Sequence, residues 1–294
     1  MRVGILGCGY VGLELARQLR ERHDVVGVRR SPEGIDAVEA TGAAAVRADV
    51  TDPDDLAAVP DVDSLVFAAS SGGRGAAAAE RVYVDGLRTA IEAFGARESP
   101  PERLVYTSST GVYGDHDGAF VDEDTQLDPT TEKTRVLAEA ERIARELAPE
   151  YGIDGGVARF AGLYGPDRYR LERYLEGPVT EGYLNMIHRA DAAGIVRFML
   201  ESTDSELLVA VDDEPVDKWA FADWLADECG VDAPPKRTKA ERLDDAGLSE
   251  AARRRILTSK RCSNDRVREL GYEFRYPTYR EGYRAAIDAY RETD

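Results

Sequence analysis

The chain has 294 residues, 43% of them hydrophobic and 32% charged, a length that fits one large domain or two modest ones at roughly 100–200 residues each. Acidic residues number 56 against 38 basic ones, for a net charge of -18, and only five of the basic residues are lysine. That balance argues against nucleic acid or an anionic membrane as partner, because both are bound through clustered Lys and Arg. The longest apolar runs, such as Ser64 to Ala69, fall far short of the roughly 20 residues of a membrane helix.

The N-terminus lacks the pattern of a secretory signal. Cys8, Cys229 and Cys262 form no C-x-x-C pair, so a reduced, cytoplasmic setting is expected, with neither disulfides nor a metal site. The acid surplus reads either as a solubility feature or as adaptation to high salt. At about 1 M salt the Debye length shrinks to about 3 Å, and self-repulsion of such a surface is screened.

Short apolar strands alternate with helical patterns through the first half, the signature of a parallel sheet built from βαβ units. Strands are predicted at 2–6, 24–28, 44–48, 63–69, 102–107 and 153–161, and helices at 10–21, 33–41, 75–96 and 131–148. The last has Val136, Leu137, Ala140, Ile143, Ala144 and Leu147 near a 3.6 period. The predicted class is α/β, a Rossmann doubly wound parallel sheet whose ligands bind beyond the carboxyl ends of the strands. Residues 1–165 form this domain, with parts of 184–211 returning to it.

Residues 166–294 read mainly as a small C-terminal substrate-binding cap. It would contain a helix near 167–176, a strand near 184–187, helices near 189–201 and 216–229, a loop at 231–236, an exposed helical excursion over 237–256 and a terminal helix near 278–291.

Gly7-Cys8-Gly9-Tyr10-Val11-Gly12 follows the first strand and opens the first helix. Alone G-x-G-x-x-G is weak, but between a strand and a helix it matches the dinucleotide fingerprint, with the pyrophosphate on helix-terminal N–H groups. An acid at the tip of the second strand takes the ribose of NAD, whereas arginine there accommodates the 2′-phosphate of NADP. Here that tip is Arg29-Arg30-Ser31. NADP is therefore favoured, with NAD as the alternative. Asp49 and Val50 would lie beside the adenine, and Ala68, Ala69 and Ser70 beside the nicotinamide ribose.

With these residues in place the chain resembles the extended short-chain dehydrogenase/reductases, the NAD-dependent epimerase/dehydratase family, and within it the atypical, YeeZ-like branch. The likeness also rests on Leu104 to Gly114 (LVYTSSTGVYG), Arg159 to Pro166 (RFAGLYGP), Asn185 to Asp191 (NMIHRAD), Lys260 to Asn264 and Tyr276 to Gly282. It implies a Rossmann domain with a small substrate domain and NAD(P) across the sheet edge.

The same resemblance exposes a departure. Family members carry Y-x-x-x-K-x-x-x-E on the helix after the fifth strand, the tyrosine handling the proton and the lysine lowering its pKa and holding the ribose. Counted on Thr131-Glu132-Lys133-Thr134-Arg135-Val136-Leu137-Ala138-Glu139, the tyrosine becomes Thr131 and the lysine Arg135. Lys133 is set aside, being two positions from Thr131 and so nearly on the opposite face. An aliphatic hydroxyl is far less acidic than a phenol.

The family's serine falls on Ser109, expected to orient a substrate oxygen. An asparagine frequent in the family, three residues before Gly86, is here Tyr83. Tyr113, Tyr164 and His188 are candidate substitute acids, each weighed against a packed aromatic or a satisfied histidine. Arg74 could meet an anionic substrate group or be a solvated loop arginine. Asn185 and His188 stand beside the pocket, and His188 with Asp191 read as fixing a helix start.

No G-x-S-x-G elbow supports a serine hydrolase, and His23, His116 and His188 are scattered. The expected function is an NADP-binding oxidoreductase or epimerase-like enzyme acting on a small polar or anionic metabolite. The alternative is a non-catalytic NADP(H) sensor or assembly subunit. The partner is a small-molecule substrate, and a homodimer stays open.

Overall fold

The computed structural model describes residues 1–72 and 75–292. Seven strands form one parallel sheet: β1 (Arg2–Leu6), β2 (Asp24–Arg29), β3 (Ala44–Arg47), β4 (Ser64–Phe67), β5 (Arg103–Ser109), β6 (Asp154–Phe160) and β7 (Leu207–Ala210). Their order is β7-β6-β5-β4-β1-β2-β3, and every pairing is parallel, as in Val3↔Val25 and Val3↔Ser64. The winding reverses at the β1/β4 boundary, where the strand ends splay apart and leave a crevice.

Both faces of the sheet are covered, so the strands are near-continuous apolar runs. Alternate side chains serve opposite cores. Val3 and Ile5 pack with Leu15, Ala192 and Ile195 on one face, and Leu6, Leu65 and Phe67 with Leu87, Ile91 and Ala144 on the other. The helices supplying them are α1 (Tyr10–Leu19), α2 (Pro32–Glu39), α3 (Gly86–Gly95), α4 (Glu132–Glu150) and α5 (Arg189–Glu201).

Six strands were expected in the sheet and a seventh is present. After α5 packs on α1, β7 joins β6 in the register Leu207↔Val157. The helix expected over 75–96 is interrupted by a π-helical turn at Arg81–Asp85, a distortion common at functional sites. The helix expected near 167–176 shrinks to Leu171–Leu175, because Asp167 and Arg170 take positive φ. The strand expected near 184–187 divides into Tyr183–Leu184, paired with Val216–Asp217, and Met186–His188, paired with Gly162–Tyr164.

A third core lies beyond the strand ends, built on α6 (Lys218–Cys229) and α7 (Tyr279–Arg291). Tyr164, Phe221, Tyr279 and Tyr283 fill it, with Tyr164 stacked on Tyr283 at 4.9 Å between ring centroids. Both helices start on side-chain caps. Asp217 accepts the N–H groups of Trp219 and Ala220 at 2.9 and 3.1 Å, and Thr278 and Glu281 form a capping box.

Candidate active site

A cleft of about 550 Å³ runs along the carboxyl edge of the sheet. Its floor is the turn between β1 and α1. Gly7 has φ of +79°, and a Cβ there would fall 2.2 Å from Ala69 Cα. A Cβ on Gly9 would stand 2.9 Å from an Arg29 guanidinium nitrogen, and one on Gly12 3.1 Å from Ile5 Cγ2. Gly9 caps α1 without any side chain, and the first helical bond is Leu13 N–H to Gly9 O at 2.8 Å. The N–H groups of Tyr10 and Val11 precede it on the cleft side and are open to an anion. A bare, tight turn with open donors fits a dinucleotide pyrophosphate.

At one end the cleft is walled by Arg29, Arg30, Ser31, Asp49 and Val50. Arg29 donates to Cys8 O at 3.2 Å and lies against the glycine turn. Arg30 pairs with Asp49 at 3.2 Å. Burial opposes the charge on Asp49, but the N–H and hydroxyl of Thr51, at 3.0 and 2.8 Å, and then Arg30 outweigh it and hold the carboxyl below its usual value. Ala68, Ala69 and Ser70 line the middle, with Tyr83 opposite. The Tyr83 hydroxyl accepts Ser71 N–H at 3.3 Å.

The other end is formed by Thr107, Ser109, Lys133, Leu137, Phe160 and Leu163. Ser109 Oγ accepts Gly111 N–H at 3.2 Å, which fixes the oxygen and leaves its proton to be donated. Beneath it a buried cluster ties β5, α4 and β6 together. Ser108 donates to Glu141 at 2.6 Å, and Arg159 donates to both Glu141 oxygens at 2.7 to 3.1 Å. Arg159 also donates to the Tyr113 hydroxyl at 2.8 Å.

Residues 3–208 match the NAD dependent epimerase/dehydratase family. The chain belongs to that family. YeeZ of Escherichia coli (strain K12) is 29% identical over 287 residues, 94% of this chain and 96% of its own length. D-erythronate dehydrogenase of Cupriavidus necator is 29% identical over 223 residues, 69% of this chain and 63% of that enzyme. A solved structure of a functionally unknown conserved protein from Silicibacter pomeroyi is 29% identical, with 98% of each chain covered and a TM-score of 0.76.

Gly7, Gly9, Tyr10, Val11, Arg29, Arg30, Asp49, Val50, Ala68, Ala69 and Ser70 all line the cleft. Gly12 does not, and instead permits close packing of α1 on β1. Arg74 lies outside the described residues.

The reaction end requires corrections. Thr131 is the N-cap of α4 and does not line the cleft: its hydroxyl accepts Thr134 N–H at 3.1 Å. Arg135 is exposed and reaches Pro129 O at 3.4 Å. The cleft-facing residues of α4 are Lys133 and Leu137, with buried Glu141 one further turn along. Stepping back four residues from the apolar stripe at Leu137 and Ala144 would have found Lys133.

Tyr113 is no substitute acid. It is fully buried away from the cleft, and burial raises its pKa despite the opposing Arg159 charge. Tyr164 belongs to the third core, where burial likewise pushes its hydroxyl upward. Asn185 ties down the C-terminal segment, donating to Lys260 O at 2.9 Å and accepting Cys262 N–H at 2.6 Å.

His188 caps α5 through Ala190 N–H at 3.2 Å. Its ring meets Tyr276 at 3.8 Å, and burial, then Arg189 and Arg275, lower its pKa to about 4. Asp191 holds a different segment, accepting the N–H groups of Arg275 and Tyr276 at 2.7 and 2.9 Å.

Proposed function

We propose that this chain is an NADP(H)-dependent oxidoreductase or epimerase-like enzyme whose substrate is a small anionic metabolite. The observation that carries the reading is the charge of the cleft. In a chain of net charge -18, the cleft lining holds Arg29, Arg30, Lys133 and Arg168 against the single carboxylate of Asp49. Low-dielectric walls focus such a field and raise the local concentration of anions.

Arg29, Arg30 and the Ser31 hydroxyl would receive the adenosine 2′-phosphate, and Asp49, already held by Arg30 and Thr51, would border the adenine. Bound nicotinamide supplies hydride transfer. Ser109 would donate its hydroxyl proton in a hydrogen bond to the reacting oxygen. Lys133, on the same wall as Leu137, supplies the positive charge beside it and is the nearest replacement for the family's missing pair.

The rival reading, a non-catalytic NADP(H)-binding subunit, is favoured by the cleft face of α4, which presents Lys133 and Leu137 and no phenol. NADPH oxidation monitored against a panel of small keto and aldehyde acids separates the two. The enzyme reading predicts turnover with at least one carboxylated carbonyl that is lost in Ser109→Ala. NADPH binding with no oxidation by any panel member would favour the sensor.

A further inference from the structure

One arginine reaches the cofactor cleft from the cap side. In the loop after Gly162–Tyr164, Gly165, Asp167 and Arg170 have φ of +135°, +67° and +56°, and Arg168 N–H donates to Gly165 O at 2.9 Å. Left-handed backbone at residues with a Cβ persists only where the surroundings impose it. Its effect here is a tight loop that presents the Arg168 side chain.

The Arg168 guanidinium lies 4.0 Å from the centroid of the Tyr10 ring. Tyr10 is the first residue of α1, and its own N–H is one of the open donors of the glycine turn. The ring is fastened: its hydroxyl donates to Pro166 O at 3.0 Å, and Arg189 approaches the same ring at 4.9 Å. Among the described residues no carboxylate lies within 4.0 Å of the Arg168 guanidinium, and no hydrogen-bond acceptor holds it. Arg189, its neighbour on the ring, is by contrast 3.9 Å from Glu14. An exposed guanidinium with no ion pair among the described residues therefore rests on an aromatic platform beside an anion-binding turn.

We propose that Arg168 is a clamp on the dinucleotide pyrophosphate, opposing the N–H groups of Tyr10 and Val11 so that the phosphates are held between backbone donors and a planar cation. The proposal rests on reading the cleft as a dinucleotide site. The Tyr10 ring, 4.0 Å away, gives the guanidinium a platform beside the turn, from which its forked donors can meet phosphate oxygens. Because NAD and NADP share the pyrophosphate, Arg168 should act on both, unlike Arg29 and Arg30, which address only the 2′-phosphate.

The test is calorimetric titration of the full-length protein with NADPH, NADH and ADP-ribose, the last keeping the pyrophosphate without nicotinamide. Arg168→Gln should weaken all three by about tenfold, the scale of one charge-assisted hydrogen bond, whereas Arg168→Lys, which keeps the charge but not the planar fork, should recover only part of that loss. Arg30→Gln should weaken NADPH alone. Wild-type affinity for ADP-ribose in Arg168→Gln would overturn the clamp. So would an Arg168→Lys variant that falls as far as Arg168→Gln with a lowered melting temperature, since that assigns the arginine to loop packing. Failure of the unsubstituted protein to bind any of the three would remove the dinucleotide reading itself, and the clamp with it.

Discussion

Thr131 and Thr134 cap each other: the Thr131 hydroxyl accepts Thr134 N–H at 3.1 Å, and the Thr134 hydroxyl accepts Thr131 N–H at 3.0 Å. This box starts α4 at Glu132 and turns Lys133, not Arg135, toward the cleft. Thr131→Val should cost about 1 kcal/mol of stability through loss of the cap while leaving NADPH affinity unchanged. Arg135→Ala should shift stability by less than about 0.5 kcal/mol and also spare binding. Lys133→Met should weaken NADPH by up to about tenfold, one charge-assisted contact, at an unchanged melting temperature. Thermal melts and NADPH fluorescence titrations on the three variants check this. Lost affinity in Arg135→Ala with a neutral Lys133→Met would return the helix to the register counted from Thr131.

The glycine turn, Arg29, Arg30 and Asp49 were readable because each lies at a strand end whose apolar run is local and unambiguous. The register of the motif on α4 was misread, because it was counted from Thr131 and not from the apolar stripe at Leu137, Ala140 and Ala144 that the sequence does show. Glu141, on the same face, is buried with hydrogen bonds from Ser108 and Arg159 on other elements, and periodicity cannot distinguish that carboxylate from a solvated one. Arg168 escaped for a related reason: positive φ at Asp167 and Arg170 replaced the expected helix, and neither residue type demands it. In β7 the run Leu207–Ala210 falls inside the stretch 184–211 expected to return to the domain, but at four residues it was too short to be predicted as a strand of its own, although all four residues are buried.

His188 should make the fold acid-sensitive. It is held neutral, with its pKa lowered to about 4 by burial and then by Arg189 and Arg275, against about 6.5 in an unfolded chain. The unfolded state therefore binds the extra proton between these values, and stability present above pH 6.5 is lost as pH falls toward 4. The loss amounts to about 3 kcal/mol at most. His188→Asn, which keeps an N-cap acceptor, should flatten this part of the profile. Melting curves from pH 7 to pH 4.5 that run parallel for the two proteins would contradict the assignment.

The acid surplus leads to an expectation about salt. With a net charge of -18, unscreened repulsion should loosen the fold in dilute buffer, and the melting temperature should climb steadily toward molar KCl as the Debye length contracts. An unchanged melting temperature across that range would leave the charge as a solubility feature.

Cofactor choice is the most direct measurement. Titration of the protein with NADPH and with NADH should give at least a tenfold tighter complex with NADPH, about 1.4 kcal/mol, and the Arg29→Ala, Arg30→Ala double variant should lose that preference while still binding both. Equal affinities in the unsubstituted protein, or a preference that survives in the double variant, would contradict the account.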